Sequence, residues 1–196
     1  MSTLIILTDL ATTITTVTGR FILTFGGGSS ALPLSSLPLL QQADLQKGSH
    51  GTLADAALSL RLVGAAPSLI HAVIVLAATI FLLFVLRGIR AATPFDRSVL
   101  RNWRRLSLTL LGGGALQGLV ATAGWIYLGS RIGLLFGSGG VSDQDEHHFL
   151  GGNYTAIGLS GPTWPMSILV AGIVALALAA AFRQGALLEE QAEGIV

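Results

Sequence analysis

The sequence predicts an all-α integral membrane protein, four transmembrane helices in a small bundle with both termini inside the cell. Three observations predict it. The 196-residue chain is 52% hydrophobic and 11% charged, with mean hydropathy +0.72. Soluble domains carry about 25% charged residues, so this chain has too few to cover a surface facing water. Apolar segments of spanning length recur at residues 4–25, 64–86, 106–128 and 163–182. The charges are also segregated: of eleven Lys and Arg residues, six (Arg87, Arg90, Arg97, Arg101, Arg104 and Arg105) lie in residues 87–105, opposed there only by Asp96. At mid-bilayer each arginine costs roughly 2.5–3.5 kcal/mol, so the turn stays out of lipid, and the positive-inside bias leaves it in the cytoplasm. The net charge of +1 conceals this segregation. Cysteine is absent, which excludes disulfides, thiolate zinc sites and cysteine nucleophiles.

The first apolar segment is studded with threonine. Leu7, Leu10, Ala11, Ile14, Val17 and Phe21 share one helical face, while Asp9, Thr13, Thr16 and Arg20 fall on another. This pattern predicts a spanning helix with its polar stripe toward other helices; a helix lying in the interface is the alternative. A secretory signal fits poorly, because no basic region precedes the apolar run and no Ala-x-Ala site follows it. Gly26-Gly27-Gly28-Ser29-Ser30 ends the helix and begins the first outer loop, residues 26–61, with Pro33 and Pro38 as breakers. Thr52-x-x-Asp55 reads as a capping box opening the second helix. From Pro67 to Leu86, about nineteen residues rise about 29 Å, close to the hydrocarbon thickness.

In the basic turn, Thr93 as N-cap, Pro94 at the first helical position and Asp96 at the third predict a helix start. Phe95, Val99, Leu100, Trp103 and Leu106 would face lipid or protein, with the arginines toward water and headgroups. The third span is rich in small residues, Gly112, Gly113, Gly114, Gly118, Ala121 and Gly124, and Gly114-x-x-x-Gly118 predicts close helix approach. Trp103 at one end, Trp125 and Tyr127 at the other, read as an interfacial belt. Residues 129–162 form a second outer loop with the acidic run Asp143-Gln144-Asp145-Glu146-His147-His148. The fourth span opens at Trp164 and Pro165, carries Ala171, Ala175 and Ala179 in a row, and ends at Arg183. The tail, residues 183–196, contains Glu189, Glu190 and Glu193. Against the basic turn and Arg183 inside, the outer loops hold only Lys47, Arg61 and Arg131. No internal repeat is visible, so the inverted-repeat signature of many transporters is missing.

Few residues point to chemistry. His147 and His148 follow Asp143, Asp145 and Glu146, but adjacent histidines do not share a helix face, so a solvated acidic loop is preferred and no metal site is assigned. Asp9 and His71 are the ionisable groups deepest in predicted spans, hence intramembrane polar candidates, structural contacts before proton relays. Arg87, Arg90, Arg97, Arg101, Arg104 and Arg105 are candidate contacts for anionic headgroups or a partner protein; direct nucleic-acid binding is not expected. Glu189 and Glu190 could pair with them on the same membrane face, at about 0–1 kcal/mol per exposed pair. G-x-x-x-x-G-K-[ST], H-E-x-x-H and G-x-S-x-G are all missing, so neither enzyme activity, catalytic residues nor cofactors are expected.

Two cytoplasmic stretches together carry a family resemblance. One is Thr93-Pro94-Phe95, followed by Val99, Leu100, Asn102 and Arg104-Arg105-Leu106. The other is Phe182-Arg183-Gln184-Gly185-Ala186-Leu187-Leu188-Glu189-Glu190-Gln191, ending at Ile195-Val196. The pair resembles a family of bacterial four-helix membrane proteins catalogued as domain of unknown function 2975. The resemblance covers roughly thirty cytoplasmic residues; elsewhere the spans agree in placement and apolarity. The chain departs from the family pattern at Gly194 and in its threonine-rich first helix. The resemblance implies a multi-pass protein of the bacterial inner membrane, and a small helix-turn-helix regulator as a partner. It implies no catalytic residues.

The function expected first is therefore regulatory, a sensor or anchor acting on a partner protein through the Arg-rich turn and the acidic tail. A small transporter or channel subunit, with Asp9, Thr13, Thr16 and Arg20 lining a polar path, is the alternative. A structural accessory subunit is a third reading, and the Gly and Ala helix faces would suit a homo-oligomer.

Overall fold

The computed structural model describes residues 2–21, 31–91, 96–134 and 141–193. It is mostly helical (71%). Its elements are α1 (Ser2–Thr18), β1 (Leu40–Leu45), α2 (Leu58–Arg90), α3 (Arg97–Arg131), α4 (Asp143–Leu150), β2 (Tyr154–Leu159) and α5 (Met166–Glu193). Three helices are long and apolar enough to cross a membrane: α2, α3 and, within α5, Met166–Leu188. α1 is apolar but has 17 residues, about 26 Å of rise and the lower limit for a span. It stops at Thr18, short of the predicted residue 25, because Gly19 adopts the left-handed conformation (φ 67°) and donates its N–H to Thr15 O at 2.8 Å. Residues 22–25 of the predicted span lie outside the described residues.

The chain divides into two compact units. One comprises Met1–Ile6, Ile70–Gln117 and Trp164–Val196. Here α2, α3 and α5 meet through small residues. A Cβ on Gly113 would come within 2.6 Å of the Ile74 side chain, and one on Gly114 within 2.9 Å of Leu169. One on Gly172 would lie 3.0 Å from the Leu111 backbone nitrogen. The helices approach this closely because those side chains are missing. Further along, Val85, Val99, Trp103, Leu106 and Ala175 form a buried cluster. Trp103 is 8% exposed and stacks on Phe182, ring centroids 5.8 Å apart. It does not belong to an interfacial belt. Val99, Trp103 and Leu106 stand at i, i+4 and i+7, so one face of α3 buries all three.

The other unit comprises Leu7–Leu69 and Gly118–Thr163. The stretches read as loops, 26–61 and 129–162, carry two strands and a short helix among their described residues, so the fold is mostly rather than wholly α-helical. β1 and β2 pair antiparallel, Leu40 opposite Leu159 and Leu45 opposite Tyr154. Leu34, Leu37, Leu53, Leu60, Leu128 and Leu150 are almost wholly buried around them. These leucines follow neither a helical nor a strand period, so only the packed unit reveals them as core. Backbone bonds tie distant segments together: Leu32 N–H to Gly19 O (2.9 Å), Leu53 N–H to Leu32 O (2.8 Å) and Ala57 N–H to Phe149 O (3.0 Å).

Three local signals resolve differently from their reading in the sequence. The Thr52–Asp55 contact forms, with Asp55 Oδ2 accepting from Thr52 N–H (3.1 Å) and from its hydroxyl (2.7 Å). It closes a turn, however, and α2 begins only at Leu58. The acidic run 143–148 is helix. Ser142 caps α4 by accepting from Asp145 N–H at 3.2 Å, and Gly151 closes it in the left-handed conformation (φ 72°). Acidic side chains at the start of α4 and histidines at its end suit the helix dipole. At the start of α3, Asp96 is the cap rather than the third helical residue, its Oδ1 accepting from Ser98 N–H at 2.8 Å. Thr93 and Pro94 lie outside the described residues.

Candidate functional site

The first turns of α3 carry Arg97, Arg101 and Arg104 at i, i+4 and i+7, all exposed, with Leu100 between them half-buried. The Asp96 cap fixes where the helix starts and therefore which face these arginines share. Opposite in the same unit runs the last part of α5, with Leu176, Ala179, Ala180, Arg183, Gln184 and Leu187. Between the two helices lies a groove of about 910 Å³. Among the described residues, four guanidinium groups line it and no carboxylate does; its floor is aliphatic. The Asp96 carboxylate is engaged at the first turn of α3, accepting from Ser98 N–H. Such an arrangement attracts an anion and leaves apolar surface beside it.

The other basic residues lie apart from this groove. Arg87 and Arg90 occupy the last turn of α2, where cations complement the helix dipole, and the Arg87 guanidinium lies 6.0 Å over the Phe84 ring. Arg105 is exposed outside the groove lining. Glu189 and Glu190 lie on α5, but their side chains, and hence any pairing with the arginines, fall outside the described residues. The sequence showed the arginines as one block; that three of them share a groove with Arg183 needed the packing of α3 on α5.

The intramembrane polar candidates belong to different units. Asp9 is half-buried in α1 and His71 half-buried in α2, and neither stands without a partner. In the polar stripe Thr13 is satisfied within the helix, as are three threonines outside it. Thr12, Thr13, Thr15 and Thr18 donate their hydroxyls to carbonyls four residues back, at 2.7–2.9 Å. Thr16 is 4% exposed, its methyl group beside Gly64. Arg20 is exposed just beyond the helix end.

In the second unit the two histidines of α4 diverge, as adjacent helical residues must. His147 lines a small cleft of about 220 Å³ with Asp143, Glu146 and Tyr154. His148 lines another, of about 490 Å³, with Tyr127, Arg131 and Asp145. Among the described residues no group of three or more His, Asp or Glu comes together as a metal site. Tyr154 carries no signal in the sequence that marks it as a site residue. Its hydroxyl is buried with no hydrogen-bond partner among the described residues, against Gly51, where a Cβ would come within 3.0 Å of it. Burial, aided by the Asp55 carboxylate, pushes this phenol above its ordinary pKa of 10.0.

Compared with protein-family models, with curated proteins and with solved structures, the chain matches none.

Proposed function

We propose that the chain is a regulatory membrane protein of the bacterial inner membrane, a sensor or anchor whose arginine-bearing face holds a cytoplasmic partner. The observation that carries this reading is the groove between α3 and α5, lined by four guanidinium groups and, among the described residues, by no carboxylate. Six arginines in residues 87–105, against only Lys47, Arg61 and Arg131 in the predicted outer loops 26–61 and 129–162, favour a cytoplasmic arginine end under the positive-inside bias. In that orientation α2 runs inward, α3 outward and α5 inward, leaving the C-terminus inside. α1 would be the fourth span, with the N-terminus also inside. Its exposed Leu4, Leu7 and Ile14 suit lipid, and its Thr12, Thr13, Thr15 and Thr18 hydroxyls donate within the helix. Resemblance to domain of unknown function 2975 supports the same topology and a small helix-turn-helix regulator as the partner.

A photocrosslinking residue at Ser98, beside the groove, tests the reading in intact cells. The expected result is a single cytoplasmic adduct that disappears in the Arg97→Glu/Arg101→Glu/Arg104→Glu variant, together with altered transcription when the chain is deleted. No protein adduct and unchanged transcription would remove the regulatory reading. The transport alternative has less support because, of its path residues, Thr13 already donates its hydroxyl within α1 and Thr16 is buried, which leaves them little to offer a passing solute.

A further inference from the structure

The groove has two halves with different chemistry. Its rim is cationic, with Arg97, Arg101 and Arg104 from α3 and Arg183 from α5. Its floor is aliphatic, built from Leu100, Leu176, Ala180 and Leu187, and both Leu176 and Leu187 are 46% exposed. A soluble acidic peptide would match the rim and leave the floor without a counterpart. A simple anion would do the same.

The groove also lies at a defined level of each helix. On α3, Arg104 and Arg105 come directly before the apolar run that begins at Leu106; on α5, Arg183 comes directly after the apolar run that ends at Phe182. In helices long and apolar enough to cross a membrane, those positions fall at the boundary between hydrocarbon and headgroups. The molecule found at that boundary in every membrane carries a phosphate joined to a hydrocarbon chain. Arginine presents planar, paired N–H donors that fit phosphate oxygens two at a time.

We infer that the groove between α3 and α5 is a seat for one anionic phospholipid of the leaflet that contains the arginine end. Its phosphate is held by Arg101, Arg104 and Arg183, and an acyl chain lies along Leu176 and Ala180. This deepens the regulatory reading by naming what the site senses, the anionic lipid content of the leaflet. A headgroup and an acidic protein segment would compete for the same guanidinium groups. Lipid binding itself rests on the groove and on the membrane reading of α3 and α5, not on the partner.

The test is native mass spectrometry of the full chain in detergent, titrated separately with phosphatidylglycerol, diphosphatidylglycerol, phosphatidylcholine and inorganic pyrophosphate. One anionic phospholipid should be retained at least about tenfold more tightly than phosphatidylcholine. Diphosphatidylglycerol, with two phosphates, should bind the tightest, and pyrophosphate weakly because it leaves the floor empty. Arg101→Gln/Arg104→Gln/Arg183→Gln should reduce retention at least about tenfold. Arg87→Gln/Arg90→Gln/Arg105→Gln removes the same charge outside the groove and should leave retention unchanged. Ala180→Phe keeps every charge but fills the floor, and should also lose the lipid.

Equal binding of phosphatidylcholine, equal loss in the two arginine triples, or pyrophosphate binding as tightly as lipid would each overturn the proposal. If lipid is retained as expected while no protein adduct forms at residue 98, the seat stands and the partner reading falls. An adduct without selective lipid retention gives the reverse.

Discussion

Tyr154 shows how a single buried hydroxyl sets a pH response. Its phenol ionises less readily in the folded unit than in the unfolded chain, since burial first and Asp55 second raise its pKa above 10.0. Its contribution to stability is therefore complete below pH 10 and is lost as the pH climbs through the raised folded value. Tyr154→Phe removes an unpartnered oxygen at nearly constant shape. Thermal unfolding at neutral pH should shift by no more than about 1–2 kcal/mol, in the stabilising direction, and the decline above pH 10 should shrink. A clear destabilisation would mean that the hydroxyl has a partner after all. Leu53, 0% exposed in the same unit, is the contrasting residue: Leu53→Ala should cost about 2–5 kcal/mol in equilibrium unfolding.

At the scale of the elements, caps and glycines decide where helices start and how closely they approach. Asp96→Ala removes the cap of α3 and should cost about 1 kcal/mol. Because the same turn carries Arg97 and Leu100, amide exchange should rise over residues 97–100 and remain slow near Gly113. Uniform exchange along α3 would show that the cap does not govern the first turn. Gly172→Leu is the sharper change. A side chain there would strike the Leu111 backbone, which cannot swing aside as a side-chain end can. The melting temperature in detergent should fall by several degrees or more, for a cost of about 1–3 kcal/mol. At Gly112, where a Cβ meets nothing within 4 Å, Gly112→Leu should be far milder.

Across the whole chain, the absence of cysteine makes sidedness directly measurable. A single cysteine at Ser98 should react with an impermeant maleimide only after the cytoplasmic face is opened. One at Thr155, exposed on β2, should react in intact spheroplasts. The opposite pattern would invert the proposed topology. Both positions lie outside the apolar runs, so neither substitution burdens a span.

Three membrane-length helices and the arginine block were legible from the sequence alone, because lipid acts as a one-dimensional solvent. Length, apolarity and local charge fix which segments it accepts, with no reference to distant residues. The second unit was not legible. Leu32, Leu34, Leu37 and Leu39 show no period, and Pro33 and Pro38 read as breakers, yet the chain folds these leucines against Leu53, Leu128 and Leu150 from remote segments. The candidate site falls between these cases. Its guanidinium groups are visible in the sequence, but their alignment with Arg183 over an aliphatic floor exists only because α3 packs on α5 through Gly114 and Gly172. Periodicity and composition report what each segment can tolerate; which segments face one another is set by packing energies that no single segment contains.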